Sequence, residues 1–139
     1  MCLLHSIDLV IVGPEKQFEQ GLTNALKEKN ILVFGPTMEA SQLEASKSFT
    51  KNMCKHKKIP TGNYEIFSRV DDAKKFLREQ PTPYVIKADG LAAGKGVLVS
   101  SDIEEADNFI SSIFAGKIGT VKSKVIICLL YTSDAADEE

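Results

Sequence analysis

The sequence predicts an α/β protein with two regions, and two observations carry this prediction. Short runs of apolar, β-branched residues alternate with segments of helical periodicity along most of the chain. Glycine–proline pairs follow the first two apolar runs, as expected where a strand gives way to a turn. The 139 residues are enough for one modest domain or for parts of two.

The first region follows the order strand, helix, strand. Residues 7–12 are almost wholly apolar, which predicts a strand buried on both faces of a parallel sheet. A helix that ends near Asn30 is predicted by one apolar face, formed by Phe18, Leu22, Ala25 and Leu26. Residues 31–34 then predict a second strand. This order is typical of half a doubly wound α/β domain, whose ligands gather beyond the carboxyl ends of the strands.

Two breaks, Gly13-Pro14-Glu15 and Gly35-Pro36-Thr37, lie at those strand ends. Their position allows a ligand-facing role. The residues alone are equally consistent with plain turns.

The second region alternates helices with strands again. Residues 38–57 have helical character with a break near Ser46, and residues 64–67 are expected to form an edge strand. A helix over residues 70–79 is predicted to begin after an N-cap at Ser68 and to bury Ala73, Phe76 and Leu77. A capping box, Ser101-x-x-Glu104, predicts another helix with a buried face and a stop at Gly116; that face comprises Ile103, Ala106, Ile110, Ile113 and Phe114. A last strand is expected to start at Lys124.

The most informative stretch is YVIKADGLAAGKGVLVS, residues 84–100. Two short β-branched runs flank a loop with three glycines, which predicts strand, loop and strand. Glycine lets the backbone approach a ligand closely and point its N–H groups at phosphate oxygens. Lys87 and Lys95 add positive charge. Glycines and lysines together predict a loop that covers the phosphates of a bound nucleotide.

Two familiar phosphate motifs do not fit this loop. A Walker A loop needs four residues between its glycines and a hydroxyl residue after its lysine, whereas three residues separate Gly90 from Gly94 and Gly96 follows Lys95. A dinucleotide fingerprint would need a third glycine at Val99. A glycine-rich hairpin without a ligand therefore stays open as an alternative on composition alone.

Composition excludes several classes of protein. Hydrophobic residues make up 43% and charged residues 26% of the chain, as in ordinary globular domains, and no apolar run reaches the length of a membrane span. Cys2, Cys54 and Cys128 form neither a metal spacing nor a disulfide framework, so reduced thiols in the cytoplasm are the simplest interpretation. His5 and His56 have no partner at catalytic or metal spacing. The net charge of −2 reflects four acids in residues 131–139; it is far from the basic balance of a nucleic-acid binder.

Several separated motifs together resemble one family. DLVIVGPE, ILVFGPT, LEASKSFTK, HKKIPTGNY, VIKADGLAAGKGV and SDIEEA occur in this order, and the chain is similar over residues 7–127 to the phosphoribosylamine–glycine ligases, ATP-grasp enzymes of purine biosynthesis. The resemblance implies a partial doubly wound pre-ATP-grasp domain over residues 1–46. An incomplete N-terminal lobe of an ATP-grasp domain would follow over residues 47–127.

The resemblance also implies roles for particular residues. Lys47 and Lys87 would reach the nucleotide phosphates from two different elements, although a helical lysine such as Lys47 is by itself most often solvated. Asp89, Gly90, Gly94, Lys95 and Gly96 would complete the ATP site. Asp89 has two open roles, capping the loop or orienting Lys87. Gly13, Pro14 and Glu15 would bind phosphoribosylamine, and no catalytic side chain or metal ligand is nominated.

The implied reaction is a two-step ligation in which ATP phosphorylates glycine and phosphoribosylamine attacks the acyl phosphate. Mg²⁺ or Mn²⁺ would accompany ATP, with ligands outside this sequence. The expected partners are small molecules, with no nucleic acid and no membrane, and the expected compartment is the cytoplasm. Little of this chemistry requires a protein nucleophile, since positioning and charge neutralisation carry it.

Two features that the resemblance implies are expected to be missing: an N-terminal glycine-rich strand–helix motif, and the acidic segment and magnesium ligands that would follow Ile127. The chain resembles an internal piece of the enzyme, and residues 128–139, CLLYTSDAADEE, match nothing in the family, so we expect a non-native tail there. Three alternatives stay open: another ATP-grasp carboxylate–amine ligase, a nucleotide-binding fragment without activity, and a fragment that does not fold stably.

Overall fold

A computed structural model describes residues 7–92, 94–119 and 124–129 of the chain. The chain divides into two compact units, residues 1–45 and residues 46–139. Both units mix helices with sheet, so the predicted α/β class is confirmed.

The first unit alternates strands with short helices. Its elements, in chain order, are β1 (Leu9–Ile11), α1 (Glu15–Glu19), α2 (Leu22–Glu28), β2 (Leu32–Phe34) and α3 (Met38–Ala45). The strands β1 and β2 are parallel, with Leu9 opposite Leu32 and Ile11 opposite Phe34. The predicted strand–helix–strand order is therefore present, but the single predicted helix is divided in two. Gly21 has a φ of 74°, a left-handed conformation that ends α1 and starts α2.

The two faces of this small sheet differ in burial. Val12, Leu26 and Ile31 are buried, whereas the β1 and β2 side chains that share the other face are 51% to 72% exposed: Leu9, Ile11, Leu32 and Phe34. The expectation that the first strand is buried on both faces is therefore wrong for this chain. The apolar run was correctly predicted as a parallel strand, but within the described residues one of its faces has no cover.

Gly35 is packed closely against side chains of the first unit. A Cβ at this position would lie 2.7 Å from a ring carbon of Phe18 and 3.2 Å from Oγ1 of Thr23, which is fully buried. The glycine after β2 is therefore required by close packing. It does not need a ligand to explain it.

The second unit carries a four-stranded sheet with helices. Its elements, in chain order, are α4 (Lys47–Lys57), β3 (Tyr64–Phe67), α5 (Val70–Arg78), β4 (Tyr84–Ala88), β5 (Val97–Ser100), α6 (Ile103–Phe114) and β6 (Val125–Leu129). The strand order is β3-β6-β4-β5, and all three pairings are antiparallel. The predicted edge strand β3, the break at Ser46 and the strand–loop–strand at the glycines are all present.

The main core lies between one face of this sheet and the helices α5 and α6. Alternate residues of β4 and β6 face it, because side chains along a strand point to opposite faces in turn. The core comprises Ile86, Ala88, Val125 and Ile127 from these strands, Ala73 and Leu77 from α5, and Ala106, Ile110 and Ile113 from α6. The helix faces predicted from periodicity are largely confirmed, although Phe76 is only partly buried.

Both predicted N-caps are displaced by one residue. Arg69 occupies the N-cap position of α5 with no side-chain cap, so Ser68 does not cap this helix. The cap of α6 is Asp102, whose carboxylate accepts hydrogen bonds from the N–H groups of Glu104 and Glu105 at 2.7 and 3.3 Å. The Ser101 capping box is therefore wrong. A carboxylate at the adjacent position satisfies the same orphan donors and adds charge that suits a helix N-terminus.

The end of α6 agrees with prediction. Gly116 has a φ of 72°, and its N–H donates to the Ile113 carbonyl at 2.9 Å. A left-handed glycine of this kind is the common way for a helix to stop. None of the helices in the described part of the chain is long and apolar enough to span a membrane.

Candidate functional site

The glycine loop is held at its base by a strand pair. Strands β4 and β5 are antiparallel, with Lys87 opposite Val97, and the Ala88 N–H donates to the Gly96 carbonyl at 2.7 Å. The loop thus leaves and re-enters the sheet at one fixed point.

The loop glycines serve two different geometric needs. Gly90 and Gly94 have φ values of 90° and 78°, which L side chains rarely adopt. Gly96 is buried, and a Cβ there would lie 2.7 Å from Cβ of Ala92. The loop therefore folds back on itself at Gly96, and only a residue without a side chain fits this approach.

Asp89 joins the loop to a distant part of the second unit. Its N–H donates to the Lys124 carbonyl at 2.9 Å, which fixes its backbone at the end of β4. Its carboxylate accepts hydrogen bonds from Ser48 N at 3.1 Å, Ser48 Oγ at 2.5 Å and Gly90 N at 3.1 Å. Of the two roles left open for Asp89, loop capping is observed in the bond to Gly90. The other partners of its carboxylate are Ser48, in the first turn of α4, and Ser46 just before it.

The first turn of α4 brings Lys47 to the loop. Ser46 is the N-cap; its Oγ accepts from Phe49 N at 3.2 Å and lies 3.2 Å from an Asp89 carboxylate oxygen. Lys47 Nζ then donates to the Gly90 carbonyl at 3.2 Å. A helical lysine that could have been merely solvated is therefore placed against the glycine loop.

Lys87 and Lys95 differ in how firmly they are held. Lys87 lies within β4 and is half-buried, on the sheet face opposite α5 and α6. That face also carries Val85, Ile126 and Cys128, which form a second buried cluster. Lys95 is exposed on the loop, where its N–H donates to the Ala92 carbonyl at 2.9 Å.

The predicted site residues thus fall into two groups. In the second unit the structure brings Lys47, Asp89 and Gly90 into direct contact, and Lys87, Gly94, Lys95 and Gly96 belong to the same strand–loop–strand. The second group lies in the first unit and is exposed: Gly13 follows β1, Pro14 is the N-cap of α1 and Glu15 is its first residue. Nothing within 4 Å would meet a Cβ at Gly13, so the space beside it is open.

Ser46 and Ser48 are site residues that sequence reasoning missed. The expected helix break near Ser46 marked a possible N-cap, and the Ser-Lys-Ser pattern around Lys47 was a second signal. Their partner Asp89 lies more than 40 residues away. A pairing over that separation leaves no trace in periodicity or local spacing.

A groove of about 880 Å³ lies elsewhere, around β3 and the C-terminal half of α4. Its wall includes Lys55, Lys58 and Tyr64 but none of the predicted ATP residues. Burial raises the pKa of the Tyr64 hydroxyl, and the charges of Glu65 and Cys54 raise it further. We rank this groove below the glycine loop because it combines no phosphate-binding elements.

A metal site made by the protein needs several ligating side chains close together. Within residues 7–92, 94–119 and 124–129, no three His, Cys, Asp or Glu side chains are grouped so that they could hold a metal ion. The described residues therefore do not fit a magnesium site built from protein ligands alone.

Two family models match the chain. The model described as "Phosphoribosylglycinamide synthetase, N domain" covers residues 1–44, and "Phosphoribosylglycinamide synthetase, ATP-grasp (A) domain" covers residues 45–132. The chain is 46% identical over 126 residues to the phosphoribosylamine–glycine ligase of Rhizobium meliloti, covering 91% of this chain and 30% of the relative. It is 45% identical over 124 residues to the ligase of Escherichia coli, covering 88% and 29%.

Among solved structures, the chain resembles phosphoribosylamine–glycine ligase from Thermotoga maritima with a TM-score of 0.76 and 32% identity. The match covers 94% of this chain and 32% of that one. The chain therefore spans about 30% of the length of the relatives it matches. Because the ATP-grasp model alone covers more than half of the sequence, the chain belongs to the phosphoribosylglycinamide synthetase family of ATP-grasp ligases.

Proposed function

We propose that this chain supplies the phosphate-covering part of a phosphoribosylamine–glycine ligase. The observation that carries the proposal is the meeting of α4 with the glycine loop, where Lys47 Nζ lies 3.2 Å from the Gly90 carbonyl oxygen. Lys87 precedes the same loop, on the sheet face opposite α5 and α6. Two lysines from different elements, together with a glycine loop, are a suitable set for a polyphosphate.

The nucleotide phosphates would lie between Lys87 and the loop. Lys47 Nζ now donates to a neutral carbonyl, and a phosphate oxygen would be a stronger acceptor because it is charged. Gly90, Gly94 and Gly96 allow the loop backbone to approach the phosphates, and Lys95 adds a mobile charge. Asp89 belongs to this set through its contacts with α4 and Gly90.

The reaction we propose has two balanced steps. A carboxylate oxygen of glycine attacks the γ-phosphorus of ATP, so ADP leaves and glycyl phosphate forms. The amine of 5-phosphoribosylamine then attacks the carbonyl carbon, loses a proton and expels phosphate, giving glycinamide ribonucleotide. This chain would contribute charge neutralisation by its lysines and the exclusion of water by the loop, since water would hydrolyse the acyl phosphate.

The first unit would contribute to binding phosphoribosylamine. Gly13, Pro14 and Glu15 follow β1, and in open α/β sheets ligands bind beyond the carboxyl ends of the strands. The open space beside Gly13 supports this placement. Magnesium or manganese would accompany ATP on ligands outside the described residues. The partners we propose are small molecules only, in a cytoplasmic enzyme of purine biosynthesis.

The proposal is tested with a full-length protein that carries this segment. We expect ADP and glycinamide ribonucleotide to form only when ATP, glycine and phosphoribosylamine are all present, with reactions lacking one substrate as controls. ADP formation with a different amine, and none with these substrates, would point instead to another ATP-grasp carboxylate–amine ligase.

For the 139-residue chain by itself we propose a narrower function, which is nucleotide binding without catalysis. Because the chain spans about 30% of the length of the relatives it matches, we expect weak nucleotide binding and no ligase turnover from it. Product above the level of a Lys87→Ala chain would show that this expectation is wrong.

The contribution of the tail beyond Leu129 lies outside the described residues. Cys128 and Leu129 themselves pair within β6.

A further inference from the structure

We propose that Asp89 is a positioning residue, which holds the first turn of α4 and thereby sets the place of Lys47 beside the glycine loop. In this role its carboxylate acts on the nucleotide only through Lys47. The inference rests on the proposed phosphate role of Lys47 and adds to it the reason why Lys47 is in place.

Both carboxylate oxygens of Asp89 are already engaged. One oxygen accepts from Ser48 N at 3.1 Å and from Gly90 N at 3.1 Å; the other accepts from Ser48 Oγ at 2.5 Å. Ser46 Oγ lies 3.2 and 3.3 Å from the two oxygens. A carboxylate has about four acceptor sites. A direct role at the phosphates would break these bonds and bring negative charge against negative charge.

The same bonds explain how Lys47 is oriented. Lys47 lies between the two serines that Asp89 binds, so its backbone is fixed on both sides. Its Nζ reaches Gly90, whose N–H is bound to Asp89 as well. Ordering a lysine costs conformational entropy of both backbone and side chain, and a fixed first turn removes the backbone part of that cost. Asp89 therefore fixes both the base of the side chain and the group that its Nζ contacts.

The placement also suits the helix. A carboxylate at a helix N-terminus satisfies orphan N–H donors and complements the positive end of the dipole. With Asp89 present, the N-terminal end of α4 is occupied by a carboxylate, while Lys47 Nζ lies at the glycine loop. If Asp89 is a positioning residue, its effect on ATP binding depends on Lys47. If it were an ATP ligand, its effect would remain without Lys47.

A double-mutant cycle on ATP affinity tests the proposal in the full-length protein. We expect Asp89→Ala to weaken ATP binding about tenfold, and Asp89→Asn less, because asparagine keeps one acceptor oxygen for Ser48 N. In a Lys47→Ala background, Asp89→Ala should weaken binding by no more than about twofold, because the residue it positions is gone. The matched control is Asp102→Ala, which removes the Asp N-cap of α6 in the same unit and should leave ATP affinity within about twofold.

Two results would overturn the proposal. One is an Asp89→Ala effect of equal size with and without Lys47, which would mean a direct contact; the other is no loss of affinity in Asp89→Ala. If Asp89→Ala does not fold, Ser48→Ala removes the shortest of the bonds and should give a smaller loss that also disappears in the Lys47→Ala background.

The proposed function can fail separately. If Lys47→Ala alone leaves ATP affinity unchanged, the phosphate role of Lys47 is wrong. Hydrogen exchange at the Ser48 amide in ligand-free protein then tests whether Asp89 holds α4. Faster exchange in Asp89→Ala than in Asp102→Ala supports the holding role, and unchanged exchange contradicts it.

Discussion

Replacing Lys87 by alanine is expected to weaken ATP binding by about 1.5–3 kcal/mol, which is roughly a 10- to 150-fold loss of affinity. Lys87 is half-buried within β4 and paired on both sides, opposite Val97 and Ile126. The sheet therefore holds its backbone on both sides, and only the side chain remains to be ordered when it meets a phosphate. Calorimetric titration of ATP into the full-length protein measures the effect.

The matched variant is Lys95→Ala, which removes the same charge from the loop. Lys95 is exposed and lies beside glycines whose N–H groups can take over part of its contact, so we expect a smaller loss. Equal losses in the two variants, or a larger loss for Lys95→Ala, would contradict the ranking. A larger loss of ATP affinity for Lys87→Ala than for Lys95→Ala would show that the strand lysine contributes more to phosphate binding than the loop lysine.

Replacing Gly96 by alanine is expected to disrupt the loop, with a cost of about 1–3 kcal/mol in stability and a matching loss of ATP affinity. The added Cβ would lie 2.7 Å from Cβ of Ala92, and neither carbon can move without its backbone. The Gly96 carbonyl also accepts from Ala88 N, so a shift at Gly96 disturbs the base of the loop. Thermal unfolding and ATP titration measure the two effects.

A second substitution identifies the cause of this loss. Ala92→Gly removes the carbon that the new side chain meets, so the Ala92→Gly, Gly96→Ala double variant should regain most of the ATP affinity lost by Gly96→Ala. If the double variant binds ATP no better than the single one, the close approach of Ala92 is not the reason for the glycine.

The strand–loop–strand that carries the glycines could be predicted from local sequence patterns. The β-branched runs around the three glycines specify a strand, a loop and a strand, because period and turn residues agree within 17 residues. The helix faces of α5 and α6 followed from spacing in the same way. Both helix starts were displaced by one residue. At α6 a serine and a neighbouring acid compete for the same cap, and pattern alone does not rank them. At α5 the N-cap residue, Arg69, has no side-chain cap, so no local signal marks it.

Features that depend on distant contacts could not be predicted. The exposed side chains of β1 look like core residues in sequence, and only the surrounding fold decides whether anything covers them. The bond from Ser48 to Asp89 spans more than 40 residues, and any of several polar side chains could have served as its partner. The contacts of Asp89 therefore required coordinates, whereas the position of Lys87 near the end of a strand could be predicted from the sequence. The role of Lys87 at the phosphates stays a prediction.

Labelling with an adenosine polyphosphate that carries a reactive acyl phosphate tests the central claim most directly. The reagent transfers its acyl group to lysines beside the nucleotide phosphates, and mass spectrometry of the full-length protein locates them. We predict acylation of Lys47 and Lys87, suppressed by excess ATP, with little label on the exposed Lys55, Lys57 and Lys58 of α4 and its C-cap. Labelling confined to those exposed lysines, or unaffected by ATP, would contradict a nucleotide site at the meeting of α4 with the glycine loop.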